Sequence, residues 1–179
     1  AKVEAIKAGY DEGIMLNRAG LVAECTGENI FVSRHGKLIT TPLSAGALEG
    51  ITQSTVSTIA RDLGFEVVVG DIARSDLYIA DEIFVCGTAA EVSSINSVDD
   101  RSIPCPGPMT SAIAEVYHQA IRGKDPRYAH WCTPVAAREP VHPRVSHGHR
   151  TPCSADEPNV LIRVETGAPS APLALSGFD

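Results

Sequence analysis

The stretch GLVAECTGENIFV, residues 20–32, contains the side chains with the clearest potential for chemistry. Glu24 follows an apolar run, and a glycine turn separates it from Glu28 and Asn29. A carboxylate held at a strand end accepts hydrogen bonds and carries a fixed negative charge, but the pattern equally fits a solvated turn residue. Two neighbouring acids form an acid and base pair only if their environments separate their pKa values, and nothing in the sequence indicates such a separation.

Two further stretches are suited to binding an anion. In GALEGITQSTV a helix predicted from Ile51 follows a glycine, so the free amides of its first turn and the Thr52 hydroxyl could meet a phosphate. In CGTAAEV a glycine turn after a strand could aim the amides of Thr88 and Ala89 at one point. Both patterns also occur in helices and turns that bind nothing, and Glu49 could complement the helix dipole without any ligand.

The elements that must position these residues follow a mixed α/β pattern with largely antiparallel strands. A leading helix in AKVEAIKAG precedes two predicted hairpins, GIMLN with GLVAE and NIFVSR with KLITTP. Apolar residues spaced by three and four then predict a helix of about three turns from Ile51. After it come the strand FEVVVG, a short polar helix or turn in IARSDLYIADE, the strands EIFVCG and EVSSI, and a last helix, MTSAIAEVYHQAIRG.

Size and charge exclude several classes of protein. A chain of 179 residues accommodates one domain with a core and a trailing appendage. The net charge of -7 argues against a nucleic-acid or anionic-membrane surface, which needs clustered lysine and arginine. No apolar run is long enough to cross a bilayer, and no segment resembles a signal peptide. We therefore expect a soluble, cytoplasmic protein that binds neither nucleic acid nor membrane.

Cysteine and histidine spacing predicts no metal site. The five cysteines are widely separated without a CxxC pair, which favours small core or loop residues. Cys25 lies within the first motif, but no histidine base stands beside it. Residues 132–179 form a Pro- and His-rich tail that we expect to be poorly ordered, with a strand pattern only in NVLIRVE. Its histidines, His142, His147 and His149, match no ligand spacing.

Six stretches together resemble, in order and in spacing, the fold-type IV pyridoxal phosphate enzymes, and specifically the branched-chain amino acid aminotransferases. These are EAIKAGYDEGIMLN, GLVAECTGENIFV, GKLITTPLSAGALEGIT, ARDLGFEV, LYIADEIFVCGTAAEV and GPMTSAIAEVYHQAIRGK. The resemblance covers residues 1–131 and implies the C-terminal cofactor-binding domain of a class IV aminotransferase, without its N-terminal domain. The implied fold is the C-terminal pseudo-barrel domain of the D-amino acid aminotransferase-like enzymes.

The resemblance also implies a cofactor, pyridoxal 5'-phosphate, and roles for individual residues. Glu24 would pair with the pyridine nitrogen and keep it protonated, so that the ring can withdraw electrons from the substrate. The backbone at Thr88 and Ala89 would meet the carboxylate of an amino acid or 2-oxo acid substrate. The other implied contacts surround the cofactor and its phosphate, and they are made by Leu48, Gly50, Ile51, Thr52 and Thr88.

No catalytic residue is assigned within the chain, because the resemblance places the Schiff-base lysine upstream of Ala1. Lys2 and Lys7 do not match that position, and in a leading helix we expect both to be solvated surface lysines. The chain is therefore expected to be a fragment that is inactive alone. The full-length parent is expected to form a homo-oligomer, as members of the family do.

The expected reaction of the parent is amino transfer between leucine, isoleucine or valine and 2-oxoglutarate. Two other activities of the same family stay open, those of a D-amino acid aminotransferase and of an aminodeoxychorismate lyase. A third possibility is a non-catalytic pseudoenzyme or interaction domain.

Overall fold

The computed structural model of the chain describes residues 1–133 and the backbone of residues 161–166. Its helices are α1 (Lys2–Lys7), α2 (Ile51–Asp62), α3 (Arg74–Leu77) and α4 (Pro108–Ala120), with 3-10 turns at Leu43–Ala45 and Pro126–Trp131. Its strands are β1 (Glu12–Leu16), β2 (Val22–Cys25), β3 (Asn29–Arg34), β4 (Lys37–Thr40), β5 (Glu66–Val69), β6 (Glu82–Gly87), β7 (Glu91–Val98), β8 (Arg101–Ser102) and β9 (Leu161–Thr166). None of the described helices has the length and apolar character that a membrane crossing requires.

The strands form one sheet in the order β2-β1-β9-β7-β6-β3-β4-β5, and β8 pairs with β7. Every neighbouring pair is antiparallel except β4 and β5, which run parallel. The exception arises because α2 lies between β4 and β5 in the chain and acts as a crossover connection, whereas the short turns of β1–β2, β3–β4, β6–β7 and β7–β8 reverse the chain direction. The mixed α/β architecture with largely antiparallel strands is thus confirmed, as are both predicted hairpins.

The strand pattern in NVLIRVE corresponds to β9, which lies between β1 and β7. Its backbone pairs Ile162 with Ile14 on one side and Val164 with Val98 on the other. This part of the tail therefore has a defined place in the sheet. The rest of the tail after Thr133, with its three histidines, lies outside the described residues, so its expected poor order stays a prediction.

The two long helices cover one face of the sheet, as their apolar periodicity predicts. Val56 and Ile59 of α2 and Ile113 of α4 are fully buried there, against β3 and β6. Between helices and strands, the rings of Phe31 and Phe84 stack with centroids 4.9 Å apart. This packing fixes α2 on the sheet and so determines where its N-terminus points.

A buried carboxylate that the sequence does not reveal holds the start of α4. Glu82, which is 4% exposed, accepts hydrogen bonds from the amides of Met109 at 3.0 Å and Thr110 at 2.9 Å. It also accepts one from the Thr110 hydroxyl at 2.8 Å. Because helix N-termini leave unpaired N–H groups and favour negative charge, Glu82 stabilises α4 at its position beside α2.

Candidate functional site

A cavity of about 360 Å³ lies where the β2–β3 turn, the loop before α2 and the end of β6 meet. All six positions predicted to contact the cofactor line it, namely Glu24, Leu48, Gly50, Ile51, Thr52 and Thr88. Ala89, the other predicted substrate contact, follows Thr88 in the β6–β7 turn and is not part of the described lining. The structure therefore brings three separate motifs of the sequence to one small site.

Glu24, at the end of β2, is a hydrogen-bonded wall residue and not a solvated turn residue. Its Oε2 atom accepts a hydrogen bond of 2.8 Å from the amide of Leu48 and a longer one of 3.4 Å from the side-chain amide of Asn29. The carboxylate is only partly buried, so one part of it contacts protein and the rest borders the cavity. It can accept a hydrogen bond from a protonated ring nitrogen or another cationic donor.

The N-terminus of α2 presents backbone donors to the same cavity. Gly50 is the N-cap, no side chain caps the helix, and its first turn contains no acidic residue. The first intrahelical bond runs from the Ser54 amide to the Gly50 carbonyl at 3.0 Å. The amides of Ile51 and Thr52 therefore have no partner within the helix and are available to an anion.

Thr52 is the better enclosed of the two threonines predicted to bind the phosphate. It is 8% exposed, and Tyr117 of α4, which is also buried, lies near its hydroxyl. Burial raises the pKa of Tyr117, so this phenol stays neutral. The packing of α4 against α2 thus encloses the Thr52 hydroxyl beside the free amides.

Thr88 reaches the cavity because β6 ends against the β2–β3 turn. A Cβ atom at Gly87 would lie 3.3 Å from the carbonyl oxygen of Gly27 and 3.4 Å from the Cγ atom of Glu28. These distances are tighter than ordinary van der Waals contact, so the two turns approach this closely because Gly87 has no side chain. The close approach makes one continuous wall from the two turns.

Glu28, which lines the cavity, is one of a pair of neighbouring acids with Glu12. Glu12 is 3% exposed and accepts hydrogen bonds from the amides of Gly13 at 2.8 Å and Thr26 at 3.0 Å, as well as from the Thr26 hydroxyl and the Lys2 ammonium. Burial alone would raise the pKa of Glu12, but the donors from Lys2, Thr26 and Gly13 outweigh it and lower that pKa. Burial and the adjacent Glu12 carboxylate raise the pKa of Glu28. The environments of neighbouring acids therefore do differ, although the pair that differs is Glu12 and Glu28.

Lys2 is an exposed surface lysine, as expected, and it also has a buried partner. Its ammonium group pairs with Glu12 and donates to the carbonyl of Asp11 at 2.7 Å. It does not line the cavity, and neither does Lys7, which is exposed. No lysine of the described residues borders the cavity, so none of them is in position to form a Schiff base there.

The buried cysteines near the site are poor nucleophiles. Burial, together with the surrounding glutamates, raises the pKa of Cys25 well above its ordinary value. Burial likewise raises the pKa of Cys86, at the end of β6, to about 12. Because the thiolate is the reactive form, both residues act as small core side chains, as the sequence predicts. Cys105 and Cys132 are partly buried free thiols, and Cys153 lies outside the described residues.

A wider groove of about 980 Å³ lies on the other side of the first turn of α2, against α4. It shares Glu49 and the start of the helix with the smaller cavity, and Ile121 and Trp131 form part of its apolar wall. Glu49 is the only acid in its described lining. The groove lacks Glu24 and Thr88, so only the smaller cavity joins an oriented carboxylate to an anion site.

The comparison with protein families decides the relationship of the chain. The profile of the family described as amino-transferase class IV matches residues 1–98. The chain belongs to the class IV aminotransferase family. This match covers β1 to β7 and so includes every residue that lines the smaller cavity.

Individual class IV relatives match a larger share of the chain. The chain is 49% identical over 138 residues to a probable branched-chain-amino-acid aminotransferase of Aquifex aeolicus, which covers 75% of the chain and 44% of that protein. A Pseudomonas aeruginosa branched-chain-amino-acid aminotransferase is 45% identical over 134 residues, covering 74% of the chain and 43% of the relative. The chain thus spans less than half the length of the curated relatives it matches.

Solved structures confirm the expected class IV fold. A branched-chain aminotransferase from Thermoproteus uzoniensis, crystallised with norvaline, superposes with a TM-score of 0.73 at 51% identity, covering 75% of the chain and 45% of that structure. The holo form of the Thermobaculum terrenum enzyme, which contains pyridoxal phosphate, gives a TM-score of 0.74 at 44% identity, over 76% of the chain and 46% of that structure. These coverages again correspond to less than half of each neighbour.

Four residues that shape the site have no role predicted from the sequence, namely Asn29, Gly87, Glu12 and Tyr117. Asn29 is a polar residue that opens the apolar strand NIFV directly after a turn, and Gly87 lies within a predicted glycine turn. Tyr117 lies on the apolar face of the last predicted helix. The contacts of Glu12 and Tyr117 could not be predicted, because their partners are remote in the sequence.

Proposed function

We propose that this chain is the cofactor-holding half of a branched-chain amino acid aminotransferase that uses pyridoxal 5'-phosphate. The parent protein would exchange an amino group between leucine, isoleucine or valine and 2-oxoglutarate. The observation that carries the proposal is the single cavity in which the Glu24 carboxylate lies with the uncapped N-terminus of α2 and the hydroxyls of Thr52 and Thr88. The names of the relatives support the substrate class.

The residues present fit this cofactor at both of its charged ends. Uncapped helix amides with adjacent hydroxyls suit a phosphate group, because they supply hydrogen-bond donors that no side-chain cap occupies. Glu24 would hold a proton at the ring nitrogen, since the carboxylate stabilises the cationic form of its partner. A cavity of about 360 Å³ falls in the range of small-molecule sites. When bound, pyridoxal phosphate supplies the ring that withdraws electrons from the substrate α-carbon.

The remaining residues would orient the substrate and exclude water. We propose that the turn at Thr88 and Ala89 offers its backbone amides to the substrate carboxylate, as a glycine-led turn at a strand end allows. The buried interior of β6 behind Cys86 keeps water out of that side of the cavity. Because no described lysine borders the cavity, we infer that the Schiff-base lysine comes from outside the 179 residues and that the chain alone does not transaminate.

Cofactor binding by the purified chain tests the proposal directly. Titration with pyridoxal 5'-phosphate, followed by absorbance and calorimetry, should show saturable binding that dialysis reverses, and borohydride should fix no cofactor at the site. Glu24→Gln should weaken binding by about 10- to 100-fold, because a charge-assisted hydrogen bond contributes about 1.5 to 3 kcal/mol. Glu49→Gln is the matched control, since this exposed acid lines the same cavity and none of the described hydrogen bonds joins it to Glu24 or Asn29.

Two results would contradict the proposal. If Glu24→Gln and Glu49→Gln weakened binding equally, Glu24 would not be the partner of the ring. If the chain alone produced glutamate from L-leucine and 2-oxoglutarate, the inference about the lysine would be wrong. On the longer parent protein, L-leucine should be a substrate, while D-alanine and aminodeoxychorismate should not be. We also expect that parent to be a cytoplasmic homo-oligomer, which gel filtration and fractionation would check.

A further inference from the structure

We propose that Asn29 is a positioning residue that links the two ends of the cavity, namely the Glu24 carboxylate and the N-terminus of α2. Through Asn29, binding of a ligand at one end strengthens binding at the other. The proposal rests on the proposed function, because it assigns a role within that site. Asn29 is the first residue of β3 and is 5% exposed. Its place is fixed by the sheet, where it lies opposite Cys86 of β6.

The side-chain amide of Asn29 connects Glu24 to the loop that leads into α2. Its Nδ2 atom donates to the carbonyl of Leu48 at 2.9 Å and, over a longer distance of 3.4 Å, to the Glu24 carboxylate. The Leu48 amide donates to the same Glu24 oxygen at 2.8 Å. The three residues form a closed hydrogen-bonded ring, so a movement of one displaces the other two.

The other end of the Asn29 side chain lies against the N-cap of α2. A Cβ atom built on Gly50 would be only 1.9 Å from its Oδ1 atom, so the amide group is in direct contact with the Gly50 backbone. Gly50 is followed immediately by Ile51 and Thr52, whose amides have no partner within the helix. Asn29 thus contacts both the support of the acid and the first residue of the anion site.

An amide side chain suits this role where a carboxylate would not. The Nδ2 group faces two acceptors, the Leu48 carbonyl and the Glu24 carboxylate, and only a donor can satisfy both. Leu48 itself is 71% exposed, so its side chain cannot anchor the loop. Leu48 itself is therefore held by its backbone bonds to Glu24 and Asn29.

The test separates the two ends with two probes, pyridoxine for the acid end and inorganic phosphate for the helix end. Calorimetry on the full chain measures the affinity for each probe alone and for pyridoxine in the presence of saturating phosphate. In the wild type, phosphate should raise the affinity for pyridoxine. Asn29→Asp should lower the affinity for each probe by about tenfold, equivalent to about 1.4 kcal/mol, and should abolish the effect of phosphate on pyridoxine.

Asn17→Asp is the matched control, because Asn17 also donates to a backbone carbonyl, that of Ala45 at 3.1 Å, but does not line the cavity. It should leave both affinities and their coupling unchanged. Asn29→Ser serves as a second variant should Asn29→Asp not fold, and it removes the amide without adding charge. It should also abolish the coupling between the probes, which a loss of stability alone would not change.

The outcomes distinguish this inference from the proposed function. If the wild type binds neither probe, the proposed cofactor site is wrong and the role of Asn29 with it. If the wild type binds both probes and the Asn29 variants keep their coupling, or lose affinity at one end only, the role of Asn29 is overturned while the cofactor site stands.

Discussion

A single added methyl group at Gly50 should damage the candidate site through the contact with Asn29. The Gly50 backbone has φ -77° and ψ 130°, a conformation that alanine adopts without strain. The Cβ atom that Gly50→Ala introduces would nevertheless lie 1.9 Å from the Asn29 Oδ1 atom and 3.1 Å from its Cγ atom. Either the Asn29 side chain or the backbone at residue 50 must therefore move. Asn29 has little freedom to do so, because it is buried and hydrogen-bonded to Leu48.

The expected cost follows from these contacts. Overpacking at a filled site costs about 1 to 3 kcal/mol, and losing the bond from Asn29 to Leu48 adds about 1 kcal/mol. Replacing glycine by alanine also reduces the entropy of the unfolded chain, which stabilises the folded state by about 0.4 to 1 kcal/mol and offsets part of this cost. Gly50→Ala should therefore lower the free energy of unfolding by about 1 to 3.5 kcal/mol and weaken binding of pyridoxal 5'-phosphate, because the N-cap moves away from the acid.

The matched control is Gly27→Ala in the β2–β3 turn. Gly27 lines the same cavity, its backbone is not left-handed, and a Cβ atom there would meet nothing within 4 Å. Urea denaturation should find this variant within about 0.5 kcal/mol of the wild type. The steric reasoning would be refuted if both variants lost equal stability, or if Gly50→Ala cost the same in an Asn29→Ala background, where the clashing amide is gone.

Three other changes should have measurable effects. Glu82→Gln should lower the free energy of unfolding in urea by about 2 to 4 kcal/mol, because its charge-assisted bonds to the start of α4 weaken, whereas Glu66→Gln on the surface should cost less than about 1 kcal/mol. Glu12, whose pKa is lowered below its ordinary 4.5, contributes stability that is present above pH 4.5 and is lost as the pH falls through its folded pKa. The urea midpoint of the wild type should therefore fall as the pH is lowered from 4.5, and the midpoint of Glu12→Gln should fall less steeply. Phe31→Ala should cost about 3 to 5 kcal/mol in the same assay, because it removes one ring of a fully buried stack.

The order of elements could be predicted from the sequence because their signals are local. Apolar residues at helical spacing identified α2 and α4, and the buried Val56, Ile59, Ile113 and Tyr117 lie on the predicted faces. Two short turns identified the hairpins, since a brief connection between apolar runs leaves antiparallel pairing as the natural geometry. Periodicity and turn chemistry are properties of neighbouring residues, so they can be recognised without coordinates.

Pairings between distant strands could not be predicted in the same way. The parallel pairing of β4 with β5 depends on α2 packing back across the sheet. The place of β9 between β1 and β7 joins segments more than 60 residues apart. The hydrophobic pattern of a strand predicts which of its side chains face the core, but it does not specify which strands will be its neighbours.

The candidate site shows the same division between local and distant information. The sequence predicts Glu24, Thr52 and Thr88 as three separate candidate binding residues, and each of them could also bind nothing. Only the resemblance to a family assigns them to one site. In the structure they share a cavity because of contacts that the sequence does not predict, namely the close approach of Gly87 to Gly27 and the hydrogen bonds among Glu24, Asn29 and Leu48.

These contacts bring an oriented negative charge and an uncapped helix start into one cavity. A ligand with a cationic ring nitrogen and an anionic tail satisfies both at once, whereas a simple anion satisfies only the helix and leaves Glu24 as a repulsive neighbour. The arrangement should therefore select molecules that carry both charges over free phosphate. That selectivity requires Glu24 and the start of α2 to lie in the same cavity, and the folded sheet is what brings them together.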